Sequence, residues 1–414
     1  MPEARPGPVP ELRFPEFRDA GPWEAKRLGD SEIARFIRER VAAEDVPLGH
    51  YVSTVNLLPA FCGLSPEPEK PPAGSAIAYR EGDILMSNIR PYLQKVWVAD
   101  RSGGASNDVL VARPSKSVVK SFLSQLLMSE RFISHVMGGA KGVKMPRGDL
   151  EQIQDFEVPL PARPEQQKIA DCLGSLDDLI RAEERRLEAL SAHKAGLMQR
   201  LFPRPGETTP RLRFPEFEGA GPWEVKRLGD VGTISKGKGI SKSDIKPDGA
   251  LPCIRYGELY TLYGEVIHEV ASSTDADPAG LVLSEENDVI IPASGETKED
   301  IATASRVTIS GVALGGDLNI FRSALNGAFL AYYVRGNLKS EISKVAQGDS
   351  VVHLYPTQLE KLKLAVPSVP KEQQKIADCL IALDDLIRAQ GETIDALRIH
   401  KRGLMQKLFP REVG

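Results

Sequence analysis

Cysteine is scarce in this chain: there are four in 414 residues, and none forms a Cys-x-x-Cys pair. That pattern argues against both a disulfide scaffold and a thiolate zinc site. The six histidines, His50, His135, His193, His268, His353 and His400, show no metal-ligand spacing. No apolar run approaches the roughly 20 residues that a membrane span requires, and the opening MPEARPGPVPE has no apolar signal core, so a cytoplasmic, non-membrane protein is expected. Charge of one sign is also missing. A net charge of −4 leaves any polyanion binding to local patches, and 41% hydrophobic with 27% charged residues excludes bulk disorder.

Complete enzyme motifs are absent as well. Residues 232–239, GTISKGKG, nearly spell a phosphate-binding loop, but Gly239 stands where a magnesium-holding Ser or Thr is needed. There is no Asn-Pro-Pro-aromatic motif for adenine methylation and no glycine-rich loop suited to a methyl donor. Asp288, Glu296 and Lys298 resemble the carboxylate, carboxylate, lysine set of metal-dependent nucleases, although their spacing is short and the first half of the chain has no counterpart. A stand-alone nuclease therefore remains one alternative, and a coiled-coil scaffold without nucleic acid is another.

What the chain does have is a repeat. Residues 12–30, LRFPEFRDAGPWEAKRLGD, return at 212–230 with 16 of 19 positions identical, and residues 165–203 return at 372–410 with 27 of 39 identical. Between these matching ends, 31–164 and 231–371 look largely unrelated. Two frames that hold different contents suit a protein that reads two different things with one geometry. Each copy has about 200 residues, an ordinary domain size.

The second half of each copy predicts a long helix. Pro164 and Glu165 open the first, and Pro203 ends it. Apolar rows seven apart run through Ile169, Leu176, Leu190 and Leu197, and through Leu173, Ile180, Leu187 and Leu201. The second helix repeats them with Ile376, Leu383, Leu397 and Leu404, and with Leu380, Ile387, Ile394 and Leu408. A seam of period 3.5 lets two helices wind around each other. Each helix would be about 55 Å long, and the short linker after Pro203 favours an antiparallel pair with one head at each end. The seam is interrupted at Glu183 and Gln390 and at Lys194 and Lys401, which either tune register or meet a partner. Gln166, Gln167, Lys168, Asp177, Asp178 and Arg181 recur as Gln373, Gln374, Lys375, Asp384, Asp385 and Arg388. They form either a solvated face or one docking surface presented twice.

Expected boundaries are a head over 1–163, a helix over 164–203, a linker over 204–211, a second head over 212–370 and a second helix over 371–410. In the first head, residues 82–100 predict a strand, a turn at Arg90-Pro91 and a second strand, which gathers Asn88, Arg90, Tyr92, Gln94 and Lys95. Arg90 fits equally as a strand-end residue paired to Asp83. Lys141, Lys144 and Arg147 lie in a glycine-containing loop. In the second head, residues 288–297 predict a buried strand running into a loop; Lys236, Lys238, Lys242 and Lys246 form a basic run, and residues 255–260 set aromatics beside polar groups. Lys and Arg neutralise phosphates, while Asn, Gln and Arg read base edges.

The duplicated EQQKIADCL, LDDLIRA and GLMQ segments, the opening motif W-x-x-K-R-L-G-D, and the head segments GDILMSNIRPYLQKV, PASGETKEDIA and AQGDSVVHLYP together resemble the DNA specificity subunit of type I restriction-modification systems. The resemblance covers nearly the whole chain. It implies an α+β fold in which two globular α/β target recognition domains are joined by two long antiparallel coiled-coil helices with pseudo-twofold symmetry. It implies a non-catalytic subunit whose heads each read one half of a bipartite, asymmetric site in double-stranded DNA. The helices would set the gap and dock two methyltransferase subunits that methylate adenine and, through them, motor-nuclease subunits. S-adenosylmethionine, ATP and Mg²⁺ belong to those partners, and no cofactor or metal is expected in this chain. The DNA contacts it points to are Asn88, Arg90, Tyr92, Gln94, Lys95, Lys141 and Lys144 in the first head, and Lys236, Lys238, Arg255, Tyr256, Ser294, Glu296, Thr297, Gln347, Ser350 and His353 in the second. Anchoring the copies on Leu150 and Leu359 places Lys141 opposite Ser350.

Overall fold

The structure, a computed structural model, describes residues 7–410 except 143, 299, 349 and 350. The apolar rows produce two helices of 39 residues each, α1 (Arg163–Leu201) and α2 (Pro370–Leu408). The chain divides into two compact units, Met1–Glu184 with Glu392–Gly414 and Arg185–Gly391. Each unit therefore holds one head, the first part of one long helix and the last part of the other.

Within unit 1, Lys401 Nζ lies 2.6 Å from Asp177 Oδ1, and Arg398 Nη2 lies 2.7 Å from Glu184 Oε1. One number rises as the other falls, so the paired segments are antiparallel. In unit 2, Lys194 Nζ makes the equivalent contact with Asp384 Oδ1 at 2.5 Å, and a second with Glu265 Oε1 at 2.9 Å. The lysines that interrupt the seam thus answer to aspartates on the facing helix, and a one-turn slip would strand both charges. Ile169, Leu173 and Ile180 of α1, and Ile376, Leu380 and Ile394 of α2, are buried as the heptad rows require.

The opening motif closes each head onto its helix. Residues Glu24–Arg27 pair antiparallel with Glu157–Leu160, the strand that feeds α1, and Glu224–Arg227 pair in the same way with Lys363–Val366 before α2. Arg13 grips the buried Glu165 with two bonds of 2.7 Å, and Trp23 Nε1 donates to the same carboxylate at 3.2 Å. Arg213, Glu372 and Trp223 repeat the arrangement at 2.7, 2.8 and 3.2 Å. The repeated Arg, Trp and Glu therefore form a buried clamp in each unit.

Head 1 carries two four-stranded sheets. One runs in the order Ala34–Phe36, Val109–Pro114, Ile84–Ser87 and Val96–Val98; the other runs Arg40–Ala42, Ser75–Tyr79, Gly103–Ala105 and Tyr51–Val52. The expected strand, turn and strand are present: Ile84 faces Val98 across an antiparallel pair, with a short 3-10 turn at Pro91–Leu93 between the strands. Head 2 builds a five-stranded and a four-stranded sheet from 232–323. Its central strand Val289–Pro292, buried throughout, pairs with Leu318–Ser323 just as Ile84–Ser87 pairs with Val109–Pro114.

In head 1 the Tyr79 hydroxyl donates to the His50 carbonyl at 2.9 Å, and burial pushes its pKa up to about 12. An unfolded tyrosine titrates near 10, so the folded state holds this proton more tightly. The stability Tyr79 contributes is complete below about pH 10 and is lost as pH rises through its folded value. Urea midpoints of the Tyr79→Phe variant should therefore fall less between pH 9 and 11.5 than those of the parent chain. Parallel pH profiles would contradict this.

Candidate nucleic-acid interface

The two heads share no obvious sequence at this surface, yet their backbones repeat it bond for bond. Asn88 N donates to Asp108 O at 2.8 Å, and Gly148 N donates to Asn88 O at 3.0 Å. In head 2, Ala293 N donates to Asp317 O at 2.7 Å and Leu354 N to Ala293 O at 3.0 Å. Lys141 and Arg147 exchange two backbone bonds of 2.9 Å, while Gln347 and His353 exchange bonds of 2.9 and 2.7 Å. Ile89 bridges Arg147, and Ser294 pairs with His353. A small hairpin, closed by the Lys141–Arg147 pair or by the Gln347–His353 pair, is thereby pinned against the end of each head's central strand.

This register corrects the expected correspondence of the copies. Lys141 matches Gln347, not Ser350, and Arg147 matches His353. The anchor chosen from sequence was wrong because Leu150 is only half-buried; the residue that plugs the core as Leu359 does is Ile153. Gly29 N reaching Gln154 O and Gly229 N reaching Glu360 O give the same register. Ser350 itself lies outside the described residues.

In head 1 the candidates converge. Arg90 is exposed at φ 51°, and its N–H donates to Pro146 O at 2.8 Å, which holds the Arg90 turn against the hairpin. Gln94, also left-handed at φ 56°, accepts from Phe61 N, so the 60–61 loop, with Ala60 and Phe61 at positive φ, joins the same surface. Four non-glycine residues in this strained conformation mark a backbone overdetermined by its surroundings, a feature that clusters at binding sites. Tyr92, Lys141 and Lys144 are exposed. Lys141 Nζ reaches Asp149 at 2.6 Å, and this pair raises the lysine pKa and lowers the aspartate's. The Lys95 ammonium, half-buried, donates to the Thr54 carbonyl at 2.6 Å, and burial followed by the Arg90 charge lowers its pKa. It braces the loop. Arg147, which pairs with Asp108, stands on the same surface, although it is not among the DNA contacts expected from the sequence. Arg90 is not the partner of Asp83, because Arg113 holds that carboxylate at 2.8 and 2.7 Å.

In head 2 the loop Gly315–Gly316–Asp317 gathers the candidates. Lys238 N donates to Leu314 O, Gly316 N to Gly239 O and Gly315 N to Ile254 O, each at 2.9 Å, which brings in the chain on either side of Lys238 and Arg255. A side chain at Gly237 would meet the Gly315 carbonyl at 2.1 Å, so only glycine permits this approach. Ser294 Oγ sits 3.3 Å from both Asp317 Oδ1 and His353 Nδ1. His353 stacks on Tyr355, and Lys236 Nζ lies 5.6 Å from the Tyr355 ring. Tyr256 meets Tyr260 edge to face, and Arg255 stands 3.9 Å from Glu258. Glu296, Thr297 and Gln347 are exposed.

The nuclease triad dissolves. Asp288 is buried, with both oxygens on Arg322 at 2.9 and 3.1 Å and one also accepting from Glu285 N. Asp83 and Arg113 repeat this pair in head 1, so Asp288 is part of the shared frame.

On the long helices several docking candidates turn inward. Gln166 accepts from Val119 N at 2.9 Å and Gln373 from Asn326 N at 3.0 Å, both buried, so they fasten head to helix. Asp177 also takes Gln125 Nε2, and Asp384 also takes the Tyr332 hydroxyl, whose pKa burial raises. Lys168 and Lys375 pair with Glu16 and Glu216 over the rings of Phe14 and Phe214. Gln167, Asp178 and Arg181 remain exposed, as do Gln374, Asp385 and Arg388. The sequence reading missed Leu179 and Leu386, repeat-equivalent leucines that are 43% and 52% exposed on this face. Their identity in both copies was the available signal.

The family described as type I restriction modification DNA specificity domain matches residues 75–192 and 221–397. The chain therefore belongs to the type I restriction-modification DNA specificity subunits. The specificity subunit of the type I restriction enzyme MjaVIII from Methanocaldococcus jannaschii is 24% identical over 423 residues, covering 97% of this chain and 94% of its own. The MjaIX specificity subunit of the same organism is 24% identical over 301 residues, with 71% and 69% coverage. In fold, the chain is similar to the S subunit of the type I restriction-modification system from M. genitalium, at a TM-score of 0.60, 13% identity and 98% and 100% coverage. A chain from a structure addressing complex assembly and conformational transition of the type I R-M system gives 0.58 at 20% identity, with 94% and 98% coverage.

Proposed function

We propose that each head reads one half of a bipartite, asymmetric site in double-stranded DNA through the major groove, and that this chain supplies the sequence specificity while catalysing nothing itself. The observation that carries this reading is the repeated frame with unlike side chains: the same hairpin presents Lys141 and Arg147 in one head and Gln347 and His353 in the other. One geometry with different hydrogen-bonding groups suits two different half-sites. The long helices set the unread gap. Their repeated outward faces, with Leu179 and Leu386 among charged neighbours, dock two copies of a methyltransferase subunit that methylates adenine, and motor-nuclease subunits join through it. S-adenosylmethionine, ATP and Mg²⁺ are the business of those partners.

A map of modified adenines in the source cell, with and without this reading frame, tests the proposal. Loss of one two-part motif with a fixed gap supports it; an unchanged map with an active methyltransferase sinks it. Lys144, exposed and without an ion pair among the described residues, is assigned to a phosphate. Lys144→Ala should weaken binding to cognate and scrambled duplexes alike and reduce the slope of log affinity against log salt by about 1. Filter binding across a salt series reads both quantities, and a loss confined to the cognate duplex would reassign Lys144 to a base.

A further inference from the structure

The hairpins share a third feature besides their bridges and their unlike polar groups. Gly142 and Gly348 occupy equivalent positions, directly after Lys141 and Gln347, at φ 96° and 109°. Two residues before Arg147 and His353 come Met145, 55% exposed, and Val351, 50% exposed. Between them Pro146 and Val352 are buried. This out, in, out alternation sets Met145 beside Arg147 and Val351 beside His353 on the outward face, with Lys141 and Gln347 opposite in register. An apolar side chain held out between polar groups at the same point of two otherwise unlike hairpins invites a partner with one small apolar feature in a polar surface. In the major groove that feature is the C5 methyl group of thymine. Cations close by suit such a partner: Lys141, Lys144 and Arg147 in head 1, and Lys236 beside Tyr355 in head 2.

We propose that Met145 and Val351 are equivalent base-contacting tips, each meeting a thymine methyl group in the half-site its head reads. The inference rests on the DNA reading above, and its test separates the two. Adenine-methylation motifs are mapped in cells carrying the complete system with the parent chain, Met145→Ala or Val351→Ala. Met145→Ala should relax one thymine-containing position in one half-site and leave the other half intact; Val351→Ala should do the reverse, and Met145→Leu should keep the motif. In vitro, deoxyuridine at that position should weaken binding by the parent complex about fivefold and cause no further loss in the alanine variant. Unchanged motifs in both alanine variants, or equal binding of thymine and uracil duplexes by the parent, overturn the inference while the DNA reading stands. Uniform loss of methylation in a variant that melts like the parent also overturns it, because Met145 would then serve binding in general. No motif with the parent chain and an active methyltransferase would overturn both.

Discussion

Glu372→Ala should destabilise unit 2 by about 3–5 kcal/mol, the cost of removing one partner from a buried, hydrogen-bonded ion pair. The carboxylate is 1% exposed and takes both arms of Arg213, itself 8% exposed, together with the Trp223 indole N–H. Without it a desolvated guanidinium and a buried donor lose their acceptor at once. Because the pair is dry, added salt should not hide the loss. Urea unfolding, with protease protection of each unit followed separately, measures it. Unit 1, which has its own Arg13, Trp23 and Glu165 clamp, should stay protected, and a cost under about 1 kcal/mol would show that the clamp is replaceable.

The second large effect falls where the linear order of the chain would not place it. Phe409, 4% exposed at the end of α2, packs its ring 5.6 Å from Phe122 and joins the core of head 1 with Leu408, Leu404 and Met405. Leu12 N, near the other end of the chain, donates to Lys407 O at 2.9 Å. Phe409→Ala should cost about 3–5 kcal/mol through the cavity it leaves, and the loss should appear in the first head. Phe202 holds the same place in unit 2, against Trp223, Phe329 and Tyr333. Its alanine variant should spare head 1. Hydrogen exchange resolves the two units, and exposure of 224–366 in the Phe409 variant would contradict the assignment.

Much of the frame was legible because it is written in periodic or repeated residues. The heptad rows of α1 and α2 and the strand, turn and strand around Arg90 follow from spacing, which local geometry obeys, and the antiparallel sense of the pair follows from the short linker after Pro203. The repeated helix face was half legible: periodicity places Gln167, Asp178 and Arg181 outward, but it cannot tell that Gln166 and Gln373 reach back to the Val119 and Asn326 amides. Asp288 misled for a similar reason. A charge in a sequence looks available until the fold supplies an Arg322 to take it.

Sequence alone determined that there are two copies, that long helices end each of them, and the family, since each of these rests on order and periodicity along the chain. Only the tertiary structure decided that Lys141 stands where Gln347 does and Arg147 where His353 does. KGVKMPR and QGDSVVH share a single glycine, and their equivalence lies in backbone bonds to Asn88 and Ala293, which are distant in sequence and place the same demand on any side chain that faces outward. It also decided which side chains at the end of each helix enter the core of the other copy's head: the expected antiparallel pair brings that end near, but a heptad seam does not say that Leu408 and Phe409, or Leu201 and Phe202, join the core there.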